Sequence, residues 1–214
     1  MTALPQTDPY RILVVCTGNI CRSPFAERLL QDAFGRIAFA ASDDAWRAGV
    51  QVASAGTHAM VGNPIEPTMA DQLEPYGSAG FDHVARQLER ELIADADLVL
   101  ALTRDHRRDI VRLLPNASRR VFALGEFVRL LEDAVAADAI EAGQSVPAPE
   151  LMAAVVEGAA ARRGFVPAPD DPAVDDVIDP YRRAAGVYEA SAAQIAEFIG
   201  RIEAAILREM RATV

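Results

Sequence analysis

Cysteine is nearly absent from this chain: 214 residues carry only two, Cys16 and Cys21. That excludes a disulfide framework and a four-cysteine metal site, and it fits a protein working in a reducing compartment. Long apolar runs are missing as well. No stretch of the sequence is long enough to span a bilayer, and residues 1–9 lack the basic-then-apolar pattern of a secretory leader. The expectation is a cytoplasmic protein with no membrane insertion. Basic excess is absent too: 21 Lys and Arg stand against 31 Asp and Glu, a formal charge of −10. This argues against sequence-independent binding to nucleic acid or anionic lipid, so an anion must be drawn in by a local site. There are no internal repeats. Apolar and charged shares of 51% and 24% are ordinary for a globular protein, and the length suffices for one good core with room for an appendage.

What is present is one organising stretch, Val15-Cys16-Thr17-Gly18-Asn19-Ile20-Cys21-Arg22-Ser23-Pro24. Before it, Ile12-Leu13-Val14-Val15 reads as a buried parallel strand. After it, Ser23 is expected to cap a helix and Pro24 to sit in its first turn, where no backbone N–H is needed. A loop between a strand's carboxyl end and a helix amino end can turn its N–H groups inward, beside the positive end of the helix dipole. Such a nest fits a phosphate-sized dianion, with Thr17, Gly18, Asn19, Ile20, Cys21 and Arg22 around it and the Arg22 guanidinium forked onto two oxygens. The same field suits a thiolate at Cys16, which would sit beneath the phosphorus, ready to attack. Buried cysteines are more often small core residues. The strand before, Gly-Asn inside and Ser-Pro after are what single this one out as a nucleophile.

Elsewhere, apolar strands are expected over 49–53, 97–102 and 121–124, alternating with helices over 67–76, 88–94 and 104–114. In the helix after the loop, Phe25, Leu29, Leu30 and Phe34 form the apolar face, with Glu27, Arg28, Gln31 and Asp32 on the other. A final helix over 184–211 carries an apolar stripe of Ile195, Phe198, Ile199, Ile202, Ile206 and Met210. The pattern implies an α/β fold of three layers, α/β/α, around a four-stranded parallel sheet. Ligands then bind at the carboxyl ends of the strands, where Cys16 and Ser54 fall. Residues 125–176 fit no simple strand–helix unit. They read as helices over 126–142 and 149–163 and a stiff Pro/Asp linker, giving one domain (1–214) with an insertion at about 126–176.

On the loop and on Asp179-Pro180-Tyr181, the chain resembles the low-molecular-weight protein tyrosine phosphatases. The resemblance implies hydrolysis of protein phosphotyrosine through a phosphocysteine, with no cofactor and no metal. It makes Cys16 the nucleophile, Arg22 the phosphate clamp and Asp179 the general acid that protonates the departing oxygen. The family carries that acid in an Asp-Pro-Tyr before the last helix, a place that Asp8-Pro9 and Asp171-Pro172 do not occupy. Asn19, Ser23, Ser54 and His83 match the network that shapes the family's loop, so His83 is expected to brace rather than act as a base. His58 and His106 read as surface residues. Cys21 is either a small side chain packed under the loop or, as in the family, the disulfide partner of Cys16 under peroxide.

Met60 stands where relatives often place an aromatic residue at the cleft, and Tyr181 and Arg182 are expected to line it too. Arg182-Arg183 after the tyrosine is similar to bacterial members acting on tyrosine kinases of polysaccharide export. The expected partner is therefore a phosphotyrosine protein, such a kinase among the candidates. The resemblance covers 11–124 and 177–207; the segment between is expected to pack beside the cleft and shape substrate access. Phosphoarginine hydrolysis is an alternative, although its known members carry Thr where Ile20 stands. Arsenate reduction would need two further cysteines, and none follows Cys21. A phosphate-binding or redox-sensing module without turnover would need neither the nucleophile nor the acid.

Overall fold

Strand β1 (Tyr10–Cys16) is apolar along nearly its whole length because both of its faces are covered. Ile12, Val14 and Cys16 enter one hydrophobic cluster, Leu13 and Val15 another. The computed structural model describes residues 8–42, 45–78, 82–140 and 146–212. The first seven residues thus lie outside it. With β2 (Val50–Gly56), β3 (Leu98–Ala101) and β4 (Val121–Ala123), β1 builds a parallel sheet in the order β2-β1-β3-β4. Ile12 pairs with Val52 on one side and Leu98 on the other, which brings Cys16 and Gly56 level at the carboxyl edge.

Eight helices accompany the sheet among the described residues: α1 (Arg22–Ala41), α2 (Ala45–Gly49), α3 (Pro67–Asp71), α4 (Arg90–Ala94), α5 (Arg104–Leu113), α6 (Leu124–Ala136), α7 (Ala148–Ala161) and α8 (Ala185–Ala212). Helices α1, α6, α7 and α8 cover one face. Ile93 of α4 and Ile110 of α5 cover the other, completing the expected three layers. On α8 the stripe is as expected, with Ile195, Phe198, Ile199, Ile202 and Ile206 buried. Phe25, at the start of α1, has no exposed surface. Its truncation to alanine would cost about 3–5 kcal/mol on the scale of buried aromatic residues. None of the described helices is long and apolar enough to cross a membrane.

Two expectations need correcting. The helix expected over 67–76 stops at Asp71, and a separate 3-10 turn, Glu74–Tyr76, ends at Gly77 with φ +71°. Pro75 can donate no N–H to a continuous helix, and the left-handed glycine closes the turn. The larger correction concerns the segment 125–176. Its helices are present as α6 and α7, although residues 141 and 142 of the first expected helix lie outside the described residues. Helix α7 does not pack beside the cleft. It lies at the amino ends of the strands, where Gly49, leading into β2, backs onto Ala148 and Pro149. Arg163, just past α7, donates to the carbonyls of Ser118, Arg119 and Val121, the last being the first residue of β4. Leu151, Met152, Val155 and Val156 join the main core, because so apolar a helix gains more by covering the sheet than by edging an open cleft.

From there the chain climbs back along α6. Arg129 holds Asp175 at 3.1 Å and the Pro167 carbonyl at 3.2 Å. Asp176 then accepts from the backbone N–H of Arg104 at 2.6 Å and pairs with its guanidinium at 2.8 Å. Val177 N–H reaches the Leu102 carbonyl at 2.8 Å, so Asp179 arrives at the carboxyl end of β3.

Candidate active site

The backbone of the Cys16–Arg22 loop is turned inside out. The carbonyls of Cys16, Thr17, Gly18 and Ile20 accept from the N–H groups of Thr57, His58, Met60 and Glu66 at 2.7–3.0 Å. The Asn19 carbonyl accepts from His83 Nε2 at 2.6 Å, which fixes the proton on that nitrogen. The Cys21 carbonyl accepts from Phe25 N–H at 3.2 Å, opening α1. No cis peptide occurs among the described residues, and in a trans peptide the N–H opposes the carbonyl. The N–H groups of residues 17–22 are therefore directed inward, around the Cys16 thiol and onto the amino end of α1.

Asn19 makes this shape possible. Its φ of +53° lies in the left-handed region, which asparagine tolerates better than most residues. Its Nδ2 group donates to Ser23 Oγ at 2.9 Å and Ser54 Oγ at 2.8 Å, and its Oδ1 accepts from Arg86 N–H at 2.9 Å. Ser23 Oγ thereby accepts from Asn19 and keeps its own hydrogen for Cys16 Sγ, 3.0 Å away. Ser23 accordingly does not cap α1 as expected; Cys21 holds that position and makes no side-chain cap bond. Glu27 belongs to the same chain of bonds, not to the outer face assigned to it. Its Oε2 accepts from Ser54 Oγ at 2.6 Å, and burial raises its carboxyl pKa while the Ser54 bond pulls the other way. One turn after Ser23, Glu27 shares its side of α1, a spacing that could have revealed it.

Gly56 is the backing plate. A Cβ there would lie 2.4 Å from the Thr17 carbonyl oxygen and 3.0 Å from Asn19 N. Gly56→Ala is expected to lower stability by about 1–3 kcal/mol, as overpacking does, and to weaken phosphate binding with it. Thermal melts and phosphate titration check this; a variant unchanged in both would show that the loop has slack.

His106 is the clearest miss of the sequence reading. It is buried, not on the surface, with Nε2 2.8 Å from Thr17 Oγ1 and Nδ1 2.9 Å from Thr103 Oγ1. Burial, and next the Arg22 guanidinium, push its pKa down to about 4 from an ordinary 6.5. Between those values the unfolded chain takes up a proton that the folded chain refuses. Stability should thus be intact above about pH 6.5 and fall as pH drops towards 4, by roughly 3 kcal/mol from this group. His106→Gln should flatten that acid limb in melts between about pH 4.5 and 7. An equal slope in wild type and variant would assign the loss to other groups.

Above the loop lies a cavity of about 190 Å³. Cys16, Cys21 and Arg22 form its base, and Ile20, His58, Met60 and Tyr181 its walls, with Asp179 facing in. Arg22 is buried; it pairs with Asp179 at 3.0 Å and donates to the Val177 carbonyl at 3.3 Å. Asp179 Oδ1 also accepts from Tyr181 N–H at 3.2 Å. Arg182 is outside the lining, with φ +58° and its guanidinium 5.1 Å from the centre of the Tyr181 ring. Burial, then the neighbouring Cys16, push the Cys21 thiol up to about 12, so it stays protonated at neutral pH. Among the described residues no group of three His, Cys, Asp or Glu side chains could hold a metal ion.

Fold and loop together set a buried cysteine at the base of a cavity, within a ring of outward-bonded carbonyls, on a doubly covered parallel sheet. A family model described as low molecular weight phosphotyrosine protein phosphatase matches residues 11–145, and the chain belongs to that family. It is 35% identical over 121 residues to the low molecular weight protein-tyrosine-phosphatase Etp of Escherichia coli strain K12, covering 56% of this chain and 73% of Etp. It is 34% identical over 116 residues to Wzb of the same strain, a low molecular weight protein-tyrosine-phosphatase, covering 54% and 70%. Among solved structures, the YwlE arginine phosphatase of Geobacillus stearothermophilus superimposes with a TM-score of 0.63 at 27% identity, over 96% of this chain and 98% of that one.

Proposed function

We propose that the protein hydrolyses phosphotyrosine in protein substrates through a phosphocysteine, with residues 1–214 working as one phosphatase domain. The observation that carries this reading is the ring of outward-bonded carbonyls, which surrounds the Cys16 thiol with inward N–H groups. The thiolate attacks phosphorus, the bond from phosphorus to the tyrosine oxygen breaks, and Asp179 gives that oxygen its proton. The N–H groups and the Arg22 fork hold the remaining oxygens as charge spreads over them. In the second step Asp179 takes a proton from water, whose oxygen attacks phosphorus. The sulfur–phosphorus bond then breaks, Cys16 leaves as a thiolate facing the Ser23 hydroxyl, and inorganic phosphate departs. These steps call for no metal or cofactor.

The Arg22–Asp179 pair has a place in this order of events. An arriving phosphate competes for the guanidinium and releases the carboxyl group to face the leaving oxygen. Ile20, Met60 and Tyr181 offer apolar walls to a phenyl ring, which favours phosphotyrosine over a short aliphatic phosphoester. The names of the Escherichia coli relatives point the same way, and cytoplasmic phosphotyrosine proteins, a bacterial tyrosine kinase among them, are the substrates we assign. Steady-state rates on phosphotyrosine, phosphoserine and phosphoarginine peptides test the assignment. Phosphotyrosine should give the highest kcat/KM. Faster phosphoarginine hydrolysis would favour the second reading, which the likeness to the YwlE arginine phosphatase supports and the apolar Ile20 opposes.

A further inference from the structure

Neither the Thr17 side chain nor His106 takes part in the steps above, yet the two are joined at the pocket. Thr17 is exposed and lines the cavity, while His106 is buried behind it on the first turn of α5. Thr103 caps that helix: its Oγ1 accepts the backbone N–H of His106 at 3.2 Å and lies 2.9 Å from Nδ1. Burial and the nearby Arg22 keep the imidazole neutral at physiological pH, so one ring nitrogen donates and the other accepts.

Only two arrangements of hydrogens are then open. If Nδ1 carried the proton, Thr103 Oγ1 would receive two donors and its own hydrogen would be left without a partner in this chain of bonds. If Nε2 carries it, the hydrogen left over belongs to Thr17, exposed at the pocket, and not to the half-buried Thr103. Thr103 O–H donates to Nδ1, and Nε2–H donates to Thr17 Oγ1 at 2.8 Å. The Thr17 hydrogen, barred from the imidazole, is left to the pocket.

We propose that the Thr17 hydroxyl is a hydrogen-bond donor to the phosphoryl group bound in the loop, and that His106, anchored on Thr103, is the positioning residue that aims it. This deepens the phosphatase reading and rests on it for the identity of the anion. The loop's N–H groups then act together with a side-chain donor whose direction is set from behind by a buried ring.

The test is titration with inorganic phosphate, followed by calorimetry on folded protein, so that binding is read without turnover. Thr17→Val should weaken phosphate roughly tenfold or more, as loss of a hydrogen bond to a charged group does, and Thr17→Ser should restore most of it. His106→Leu should cost a similar factor, and the double variant no more than either single one. Should His106→Leu fail to fold, His106→Gln keeps an N–H at about the same reach and should bind phosphate nearly as the wild type does. Nitrogen NMR shifts of His106 should report the Nε2–H tautomer. Phosphate affinity of Thr17→Val within twofold of wild type, additive losses in the double variant, or the Nδ1–H tautomer would each overturn the inference and leave the phosphate site standing. A wild-type protein that binds no phosphate would remove the site itself, and this inference with it.

Discussion

Cys16→Ser is expected to stop turnover while leaving the phosphate site occupied. A serine hydroxyl is a far weaker nucleophile than a thiolate, and loss of a covalent nucleophile costs on the order of 10⁵–10⁶ in rate. Binding should behave differently, because the groups proposed to hold the anion are the N–H groups of residues 17–22 and the buried Arg22, and none of them changes. A serine in that place brings no charge of its own beneath a dianion, so phosphate should bind as well as before or more tightly. Turnover by mass-balanced phosphate release and affinity by calorimetry separate the two effects. More than about one per cent residual activity in the purified variant would overturn the covalent mechanism.

The second large effect belongs to Asp179, and it should depend on the substrate. Its carboxyl group lies 3.0 Å from Arg22 at the open side of the pocket, and its Oδ1 accepts from the Tyr181 N–H at 3.2 Å. If it protonates the leaving oxygen, its value must follow how much that oxygen needs a proton. Asp179→Asn keeps the shape without the proton and should slow phenyl phosphate by roughly 10²–10⁴, the usual span for general acid catalysis. A nitrophenyl ester leaves readily as its anion and should suffer far less. A carboxyl group that only shaped the Asp-Pro turn would give equal losses on both esters, and that equality would take Asp179 out of the chemistry.

The form of the Cys16–Arg22 loop was legible because everything it needs is local: a buried strand, a Gly-Asn pair and a helix start lie within one short stretch. Asp179 was singled out through resemblance and not through its own chemistry, since Asp-Pro alone marks only a turn. Met60 and Tyr181 were found at the cavity, while Arg182 turned away because its left-handed backbone carries the guanidinium over Tyr181. Other features left no mark in residue types. The N–H groups of 57, 58, 60 and 66 hold the loop through backbone atoms that every non-proline residue possesses. His106 and Glu27 were placed outside because a helical pattern gives a face but not what packs against it. The same gap misplaced α7. Its composition shows that it must be covered, and nothing in the sequence says at which end of the sheet.

The main-chain grip on the loop also bears on how such a protein can change. His58 and Met60 line the cavity, while the amide groups of the same residues hold the carbonyls of the Cys16–Arg22 loop. Reactivity and taste are therefore written in different atoms of the same residues. Variation at these positions, by drift or in a library, can retune which phosphoprotein is accepted while the cradle keeps its form. Only proline, which has no amide hydrogen to offer, would strike both at once.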